Sequence, residues 1–294
     1  MKGIILAGGS GTRLYPNTIS TSKQLLPIYD KPMIYYPLSV LMLCGIQDIM
    51  IISTSEDLPR FRRLFQDGSF LGIRLSYKVQ PKPEGIAQAF ILAEEFIEQE
   101  SVALILGDNI FYGDQLEKFL QESSSHKVGG RIFGYHVQNP SRYGVIDFDE
   151  NFKVKKVVEK PKDPPSNYAI TGLYFYDSSV VSIAKRLKPS HRGELEITDV
   201  NQAYLDKGEL IVKIFDRGFA WLDTGTHDAL HKASSFVQTI QERQGIQIAC
   251  IEEIAFSKGW ISQNQFEKIA LSYPQSEYGA YLRQILERKA ASFV

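Results

Sequence analysis

The chain has 294 residues, 44% apolar and 23% charged, which is the composition of an ordinary globular protein, with room for one large α/β domain or one domain with a smaller lobe. Lys plus Arg number 33 and Asp plus Glu 34, a net charge of −1, so no global field draws the chain to nucleic acid or to an anionic membrane, and an anionic ligand has to be held by local groups. Two isolated cysteines, Cys44 and Cys250, exclude a disulfide framework and a thiolate metal cluster; their apolar surroundings predict buried thiols in a reducing cytoplasm. The first apolar run, residues 2–7, is too short for a signal-peptide core and far too short to span a membrane, so a cytoplasmic protein is expected.

In chain order, residues 2–7 read as a buried strand running into glycines. Residues 33–44 have helical character, 48–53 (DIMIIS) form a second buried strand, and 57–66 carry Leu58, Phe61, Leu64 and Phe65 on one helical side. A strand is predicted over 73–79, a helix over 85–98, and a third buried strand over 102–106 (VALIL). Nearly all-apolar strands alternating with helices imply a mainly parallel sheet covered on both faces, a Rossmann-like α/β unit. After about residue 128 the pattern changes. Residues 130–137, 143–149, 153–159 and 168–176 alternate as antiparallel strands, helices follow over 177–188 and 196–207, and strand returns over 209–222. From 227 the chain is mostly helical, with breaks at Gly245 and Gly259. The expectation is a mixed α/β fold with an inserted β lobe, a shared core and a helical C-terminal region.

The first strand runs through Leu6 into Gly8-Gly9-Ser10-Gly11-Thr12-Arg13-Leu14. Three glycines in four residues let backbone amides converge on one point, a concave donor site for phosphate oxygens, placed where ligands bind open α/β sheets. It is not a P-loop, which needs Gly-Lys-Ser/Thr, and not a dinucleotide fingerprint, because Leu14 stands where a third glycine is required. A tight turn without a ligand would also use such glycines; Arg13 in the loop and Lys23 after it favour phosphate. The five histidines show no metal-ligand spacing, His227 and His231 reading as a solvated helix face, and no Ser-His-Asp arrangement or reactive cysteine suggests covalent catalysis.

The run Gly8 to Pro16, followed by Ser22-Lys23-Gln24-Leu25-Leu26-Pro27, resembles the signature of the sugar-1-phosphate nucleotidyltransferases. The Lys23-Gln24 pair is the more specific part, because other members often have Pro-Lys there, and it is similar to the branch that transfers thymidylyl groups to glucose 1-phosphate. The resemblance covers nearly the whole chain. It implies a catalytic domain over 1–245, with a nucleotide-binding part over about 1–127 and a sugar-phosphate-binding part over about 128–226. A helical region over 246–294 would then provide oligomer and regulatory contacts. It implies that Leu6, Gly8, Gly9, Ser10, Gly11, Thr12, Arg13, Lys23 and Gln24 hold the nucleotide, and that Gln80, Pro83 and Gly85 face its base. Asp108 and Asp223, each at the end of an apolar strand, would hold Mg²⁺. Asn109, Tyr143, Gly144, Glu159, Lys160, Ile170, Thr171, Gly172, Tyr174, Arg192 and Trp221 would form the sugar-phosphate side. Arg13, Lys23, Asp108 and Asp223 would carry catalysis. The implied ligands are dTTP (or UTP), glucose 1-phosphate and pyrophosphate, with dTDP-rhamnose as a feedback inhibitor of a homotetramer. From the residues alone, Asp108 could equally be a helix cap and Glu159-Lys160 a surface pair. A non-catalytic nucleotide-sensing module would be expected to have lost some of Arg13, Lys23, Asp108, Lys160 and Asp223; all five are present.

Overall fold

In a computed structural model of the chain, residues 1–9, 11–125 and 127–291 are described; Ser10 lies outside them. β1 (Lys2–Leu6) leaves into the glycine loop, where Gly9 and Gly11 take φ of 102° and 59°, values that other residues resist. A short ribbon of β2 (Pro27–Ile28) and β3 (Lys31–Pro32) precedes the buried helix α1 (Tyr35–Leu43). β4 (Asp48–Ser53), α2 (Leu58–Phe65), β5 (Arg74–Val79) and β6 (Val102–Leu106) occupy the expected segments. Between the last two, the predicted helix over 85–98 is broken into α3 (Gln88–Leu92) and α4 (Glu94–Ile97). Its first turn is lost because the backbone of Glu84 and Ala87 bonds instead to Leu195: Leu195 N–H donates to Glu84 O at 2.7 Å, and Ala87 N–H to Leu195 O at 3.2 Å.

β7 (Asn109–Gly113) and α5 (Leu116–Ser124) are additions to the sequence reading. β8 (Gly130–His136), β9 (Gly144–Phe148), β10 (Val154–Glu159) and β11 (Tyr168–Tyr176) follow, then α6 (Ser179–Arg186) and α7 (Ile197–Asp206). The single strand predicted over 209–222 is two, β12 (Leu210–Ile214) and β13 (Phe219–Asp223), separated by a turn with Gly218 at φ 93°. The C-terminal helices are α8 (His227–Gln244), α9 (Ile251–Ser257), α10 (Gln263–Ser272) and α11 (Glu277–Ala291). Thr226 caps α8 through its side chain, and Gly245 ends it at φ 64°.

One mixed sheet of nine strands organises the chain, in the order β10-β9-β11-β6-β1-β4-β5, with β8 on β11 and β12 on β8. The block β6-β1-β4-β5 is parallel, β12 runs parallel to β8, and the other ladders are antiparallel. The β-rich part thus joins the parallel block edge to edge through β6 and β11. Alternation along the central strands divides the core between the two faces. Ile5, Ile51 and Ile105 pack on the face carrying α1, α5 and α9, and Ile4, Met50 and Leu104 on the face carrying α3, α6 and α7. A third cluster, including Ile28, Met33, Tyr36 and Ile110, seats Ala233 and Val237 of α8. No helix among the described residues is long and apolar enough to cross a membrane.

Candidate active site

The carboxyl ends of β1, β4 and β6 open into three cavities arranged in a row, the position at which open α/β sheets bind ligands. The first, about 340 Å³, is walled by Gly9, Tyr15, Lys23, Gln80 and Pro83. The second, about 390 Å³, is lined by Gly8, Gly9, Gly11, Thr12, Arg13, Lys23, Gln24, Pro83 and Asp108. The third, about 480 Å³, is lined by Arg13, Asp108, Asn109, Tyr143, Gly144, Glu159, Lys160, Ile170, Gly172, Tyr174, Trp221 and Asp223. Gly9, Lys23 and Pro83 are shared by the first two, and Arg13 and Asp108 by the second and third. The row is therefore one groove with two waists, each bearing a cationic side chain.

Asp108 follows β6, and its carboxylate makes a short ion pair with Lys23 while Asn109 Nδ2 donates to Oδ1 at 2.9 Å. Burial works against its charge, but Lys23 and Asn109 outweigh burial and hold the carboxyl below its ordinary value. Asp223 ends β13. That strand is not in the main sheet; it pairs with β7 as a separate two-stranded ribbon, with Asp223 opposite Asn109. The two carboxylates therefore meet through the β7–β13 ribbon and not as two strand ends of one sheet. Thr224 ties the junction, its hydroxyl donating to Asp108 O at 3.0 Å. Asp223 Oδ2 lies 3.6 Å from Arg142 Nη2. A side chain on Gly225 would reach Asp223 Oδ2 at 3.4 Å and Arg13 Nη1 at 3.5 Å, so the guanidinium and the carboxylate flank this bare stretch of backbone.

Asn109 is a hub. Its Oδ1 accepts from Trp221 Nε1 at 2.6 Å and from Gly172 N–H at 3.0 Å, and a Cβ on Gly172 would come within 2.6 Å of it. Its side chain is engaged by protein groups on both sides, so it orients Asp108 and joins β7, β11 and β13. Glu159 Oε2 accepts a short hydrogen bond from the Thr198 hydroxyl, and its Oε1 lies 3.4 Å from Lys160 Nζ and 3.8 Å from Arg192 Nη1. Burial, followed by the negative charge of Asp223, pushes the Tyr143 hydroxyl up to about 12.

Four residues of the sequence reading stand off the groove walls. Thr171 is fully buried because the pleat that turns Ile170, Gly172 and Tyr174 to the cavity turns it to the other face. Arg192 sits beside the wall, ion-paired with Glu194 and Glu196 as well as Glu159. Leu6 contributes backbone, its carbonyl accepting from Gly107 N–H at 2.9 Å. Gly85, at φ 106°, packs against the backbone of Leu195. Conversely, Arg142, Ile86, Leu106, Ile197 and Thr198 line the third cavity without having been singled out. Arg142 adjoined a recognised segment, whereas nothing in the local pattern around Thr198 marks it.

No cluster of three or more His, Cys, Asp or Glu side chains able to hold a metal occurs among the described residues. Two carboxylates on one cavity suit an ion that keeps several waters and takes its other ligands from phosphates, as Mg²⁺ does.

The nucleotidyl transferase family pattern matches residues 2–240. A glucose-1-phosphate thymidylyltransferase of Neisseria meningitidis serogroup A is 57% identical over 98% of this chain and 100% of its own length. One from Mycobacterium tuberculosis is 54% identical over 98% of this chain and 100% of its own. Among solved structures, a Bacillus anthracis protein described as a glucose-1-phosphate thymidylyltransferase, in complex with a sucrose, superposes with a TM-score of 0.74 at 44% identity, covering 80% of this chain and 94% of that one. A UDP-glucose pyrophosphorylase complexed with UDP-glucose gives 0.71 at 25% identity, covering 81% and 98%. The chain belongs to the nucleotidyl transferase family, within its glucose-1-phosphate thymidylyltransferase branch.

Proposed function

We propose that the groove joins dTTP to glucose 1-phosphate, forming dTDP-glucose and releasing pyrophosphate. One arrangement carries this function: three cavities in a row, a base-sized one beside Gln80, a phosphate-sized one under the glycine loop and a sugar-sized one beside Glu159, meeting at Arg13, Lys23 and Asp108. A nucleoside triphosphate laid along the first two presents its α-phosphorus at the second waist. A sugar phosphate in the third presents an anionic oxygen to it. That oxygen forms the new P–O bond as the bond to pyrophosphate breaks. Because the attacking oxygen is already ionised, no general base is required, and the protein acts by positioning and charge stabilisation.

In this reading the amides from Gly8 to Thr12 and the Arg13 guanidinium hold the triphosphate. Lys23, poised against Asp108, stabilises charge on the transferred phosphoryl group. Lys160, nearly half exposed, is free to swing from Glu159 to the sugar phosphate, and Glu159, braced by Thr198, accepts from sugar hydroxyls. Arg192, tied to three carboxylates, braces Glu159. Asp108 and Asp223 would hold Mg²⁺, which supplies charge neutralisation between two anionic substrates. Residues 1–245 would form the catalytic part, in a cytoplasmic protein. Helices beyond Gly245 lie outside the linings of the three cavities, and the family resemblance assigns them a role in a homotetramer and in feedback inhibition by dTDP-rhamnose.

A pyrophosphate-release assay over a grid of nucleoside triphosphates and hexose 1-phosphates tests the assignment. The highest kcat/KM is expected for dTTP with glucose 1-phosphate. A clear preference for UTP would move the chain's function to uridylyl transfer.

A further inference from the structure

Gln80 is nearly buried at the wall of the first cavity, and its amide has two possible orientations that differ in which end accepts. The structure contains a device that selects one. Gln88, in the first turn of α3, is held by two groups of Glu84 whose polarity cannot change. The Glu84 backbone N–H, only a donor and shared with the Lys82 carbonyl at 3.0 Å, points to Gln88 Oε1 at 3.3 Å, and the Glu84 carboxylate, when ionised only an acceptor, takes a hydrogen bond from Gln88 Nε2 at 2.7 Å. With both ends of Gln88 fixed, Oε1 is the atom turned toward Gln80. Gln80 Nε2 must then donate to it, as it does at 2.7 Å. Gln80 Oε1 is left pointing at Gly8, where a β-carbon would collide with it, and it accepts no hydrogen bond from a described residue.

We infer that Glu84 and Gln88 form a polarity clamp that fixes the Gln80 amide, and thereby selects nucleobases that present a ring N–H beside a carbonyl. This rests on the proposal that the first cavity holds the base. In the fixed orientation Gln80 offers an acceptor, Oε1, beside the second hydrogen of Nε2. Uracil and thymine present N3–H next to O4 and match it. Cytosine presents an N3 acceptor next to an amino donor, so like would face like at both positions. A cytosine could be matched only by a reversed amide, and reversal would set Gln80 Oε1 against Gln88 Oε1. A site organised around hydrogen-bonding groups rejects the wrong ligand through the groups it leaves unpaired. Gln88 and Glu84 are positioning residues here; neither lines the cavity.

The experiment measures pyrophosphate release by the full chain with dTTP, UTP and CTP, in the unaltered protein and in Gln88→Met, Glu84→Leu and Gln80→Ala. Gln88→Met is expected to raise KM for dTTP about tenfold with kcat held within about twofold, as loss of about 1.4 kcal/mol of preorganised binding would do. The same variant should lower the preference for dTTP over CTP about tenfold and leave KM for the sugar phosphate unchanged. Glu84 is exposed, so Glu84→Leu folds whether or not Gln88→Met does; it should shift the preference in the same direction, about threefold. If Gln80→Ala lowers the dTTP preference while Gln88→Met and Glu84→Leu leave it unchanged, the clamp is overturned and base reading by Gln80 survives. If Gln80→Ala itself leaves the preference and the dTTP KM unchanged, base reading by Gln80 fails, and the clamp with it.

Discussion

The groove and the seat of the C-terminal helices both contain Lys, Asp and Glu away from bulk water, and they use them in opposite ways. In the seat, Lys31 Nζ is enclosed by three acceptors, Asp30 Oδ1 at 2.6 Å, Gln241 Oε1 at 3.2 Å and Gln247 Oε1 at 3.3 Å. Glu252, wholly buried, accepts from the Tyr278 hydroxyl at 2.5 Å. Those polar groups are matched mainly by protein. In the groove the pairs are looser: Arg142 to Asp223 at 3.6 Å, Lys160 to Glu159 at 3.4 Å, and Arg13 exposed at the loop. The contrast teaches that a charged cluster is read by its slack. Where protein partners saturate the donors, the cluster holds the fold together. Where cations are left with long, partly exposed contacts, a ligand's anions can take the place of the weak partner.

The Lys23–Asp108 pair sits on the boundary between these two uses, and it gives the largest expected effect. Its short contact resembles the seat, yet both residues line the groove. Asp108→Asn should lower turnover by roughly a hundred- to a thousandfold and also destabilise the protein by about 1–3 kcal/mol, because Lys23, 10% exposed, is left without its counter-ion. Asp223→Asn should cost similar activity but leave the thermal midpoint almost unchanged, since its contact to the half-exposed Arg142 is weak. If both carboxylates serve one ion, the double variant loses far less than the product of the single losses. Independent multiplication of the two would break the shared-ion assignment. Because Asp108 is held below its ordinary value of 3.8, the pair's contribution to stability is present above about pH 4 and fades as pH falls through the lowered value.

Arg13→Ala tests slack directly. The side chain is exposed and anchors no core, so the variant should fold normally while turnover falls about a hundredfold. Near-normal turnover would mean that the exposed guanidinium is idle, and slack would lose its value as a guide.

Much of this was legible before the structure. The strands β1, β4 and β6 are nearly all-apolar runs, a pattern set by burial on both faces, and burial is written locally. The glycine loop and the two aspartates were also visible, because each directly follows or ends an apolar strand, and Lys23 was marked by its charge after the loop and by the Lys23-Gln24 resemblance. What was hidden depends on partners distant in sequence. The helix expected over 85–98 loses its start to Leu195, more than a hundred residues away. β7 exists because β13 pairs with it. Asn109 was expected only on the sugar-phosphate side, and the approach of Gly172 and Trp221 is what makes it a hub. Thr171 lay in a recognised strand, but the sequence alone did not reveal which face of the pleat it occupied.

Lys160→Gln sharpens the comparison within the groove. Lys160 is on the sugar side and contacts Glu159 at 3.4 Å, while the glycine loop forms the other wall. Loss of a charge-assisted hydrogen bond should raise KM for glucose 1-phosphate roughly ten- to a hundredfold and leave KM for dTTP within about twofold. Equal changes in both constants would show that the two cavities do not divide the substrates.

The smallest effect should come from the seat and should appear in stability, not in activity. Burial first, against the opposing help of the Tyr278 hydroxyl, raises the Glu252 carboxyl above its ordinary value. Lys31 and Cys250 also face it, and Oε1 has no hydrogen-bond partner among the described residues. The unfolded chain releases this proton near pH 4.5, whereas the folded chain keeps it to higher pH. The native state therefore binds more protons between those values, and stability from this group is full below the unfolded value and declines as pH rises through the folded one. Glu252→Gln removes that decline while keeping an acceptor for Tyr278. The thermal midpoint of the variant should equal or fall slightly below that of the unaltered protein at pH 5 and exceed it at pH 8. Each kcal/mol corresponds to about 2–4 °C for a domain of 150–250 residues. Activity at 25 °C should be unchanged, because Glu252 lines none of the three cavities. A midpoint difference that is the same at both pH values would mean that Glu252 does not change protonation on folding, and a loss of turnover would join the seat to the groove in a way that their separate sets of contacts do not suggest.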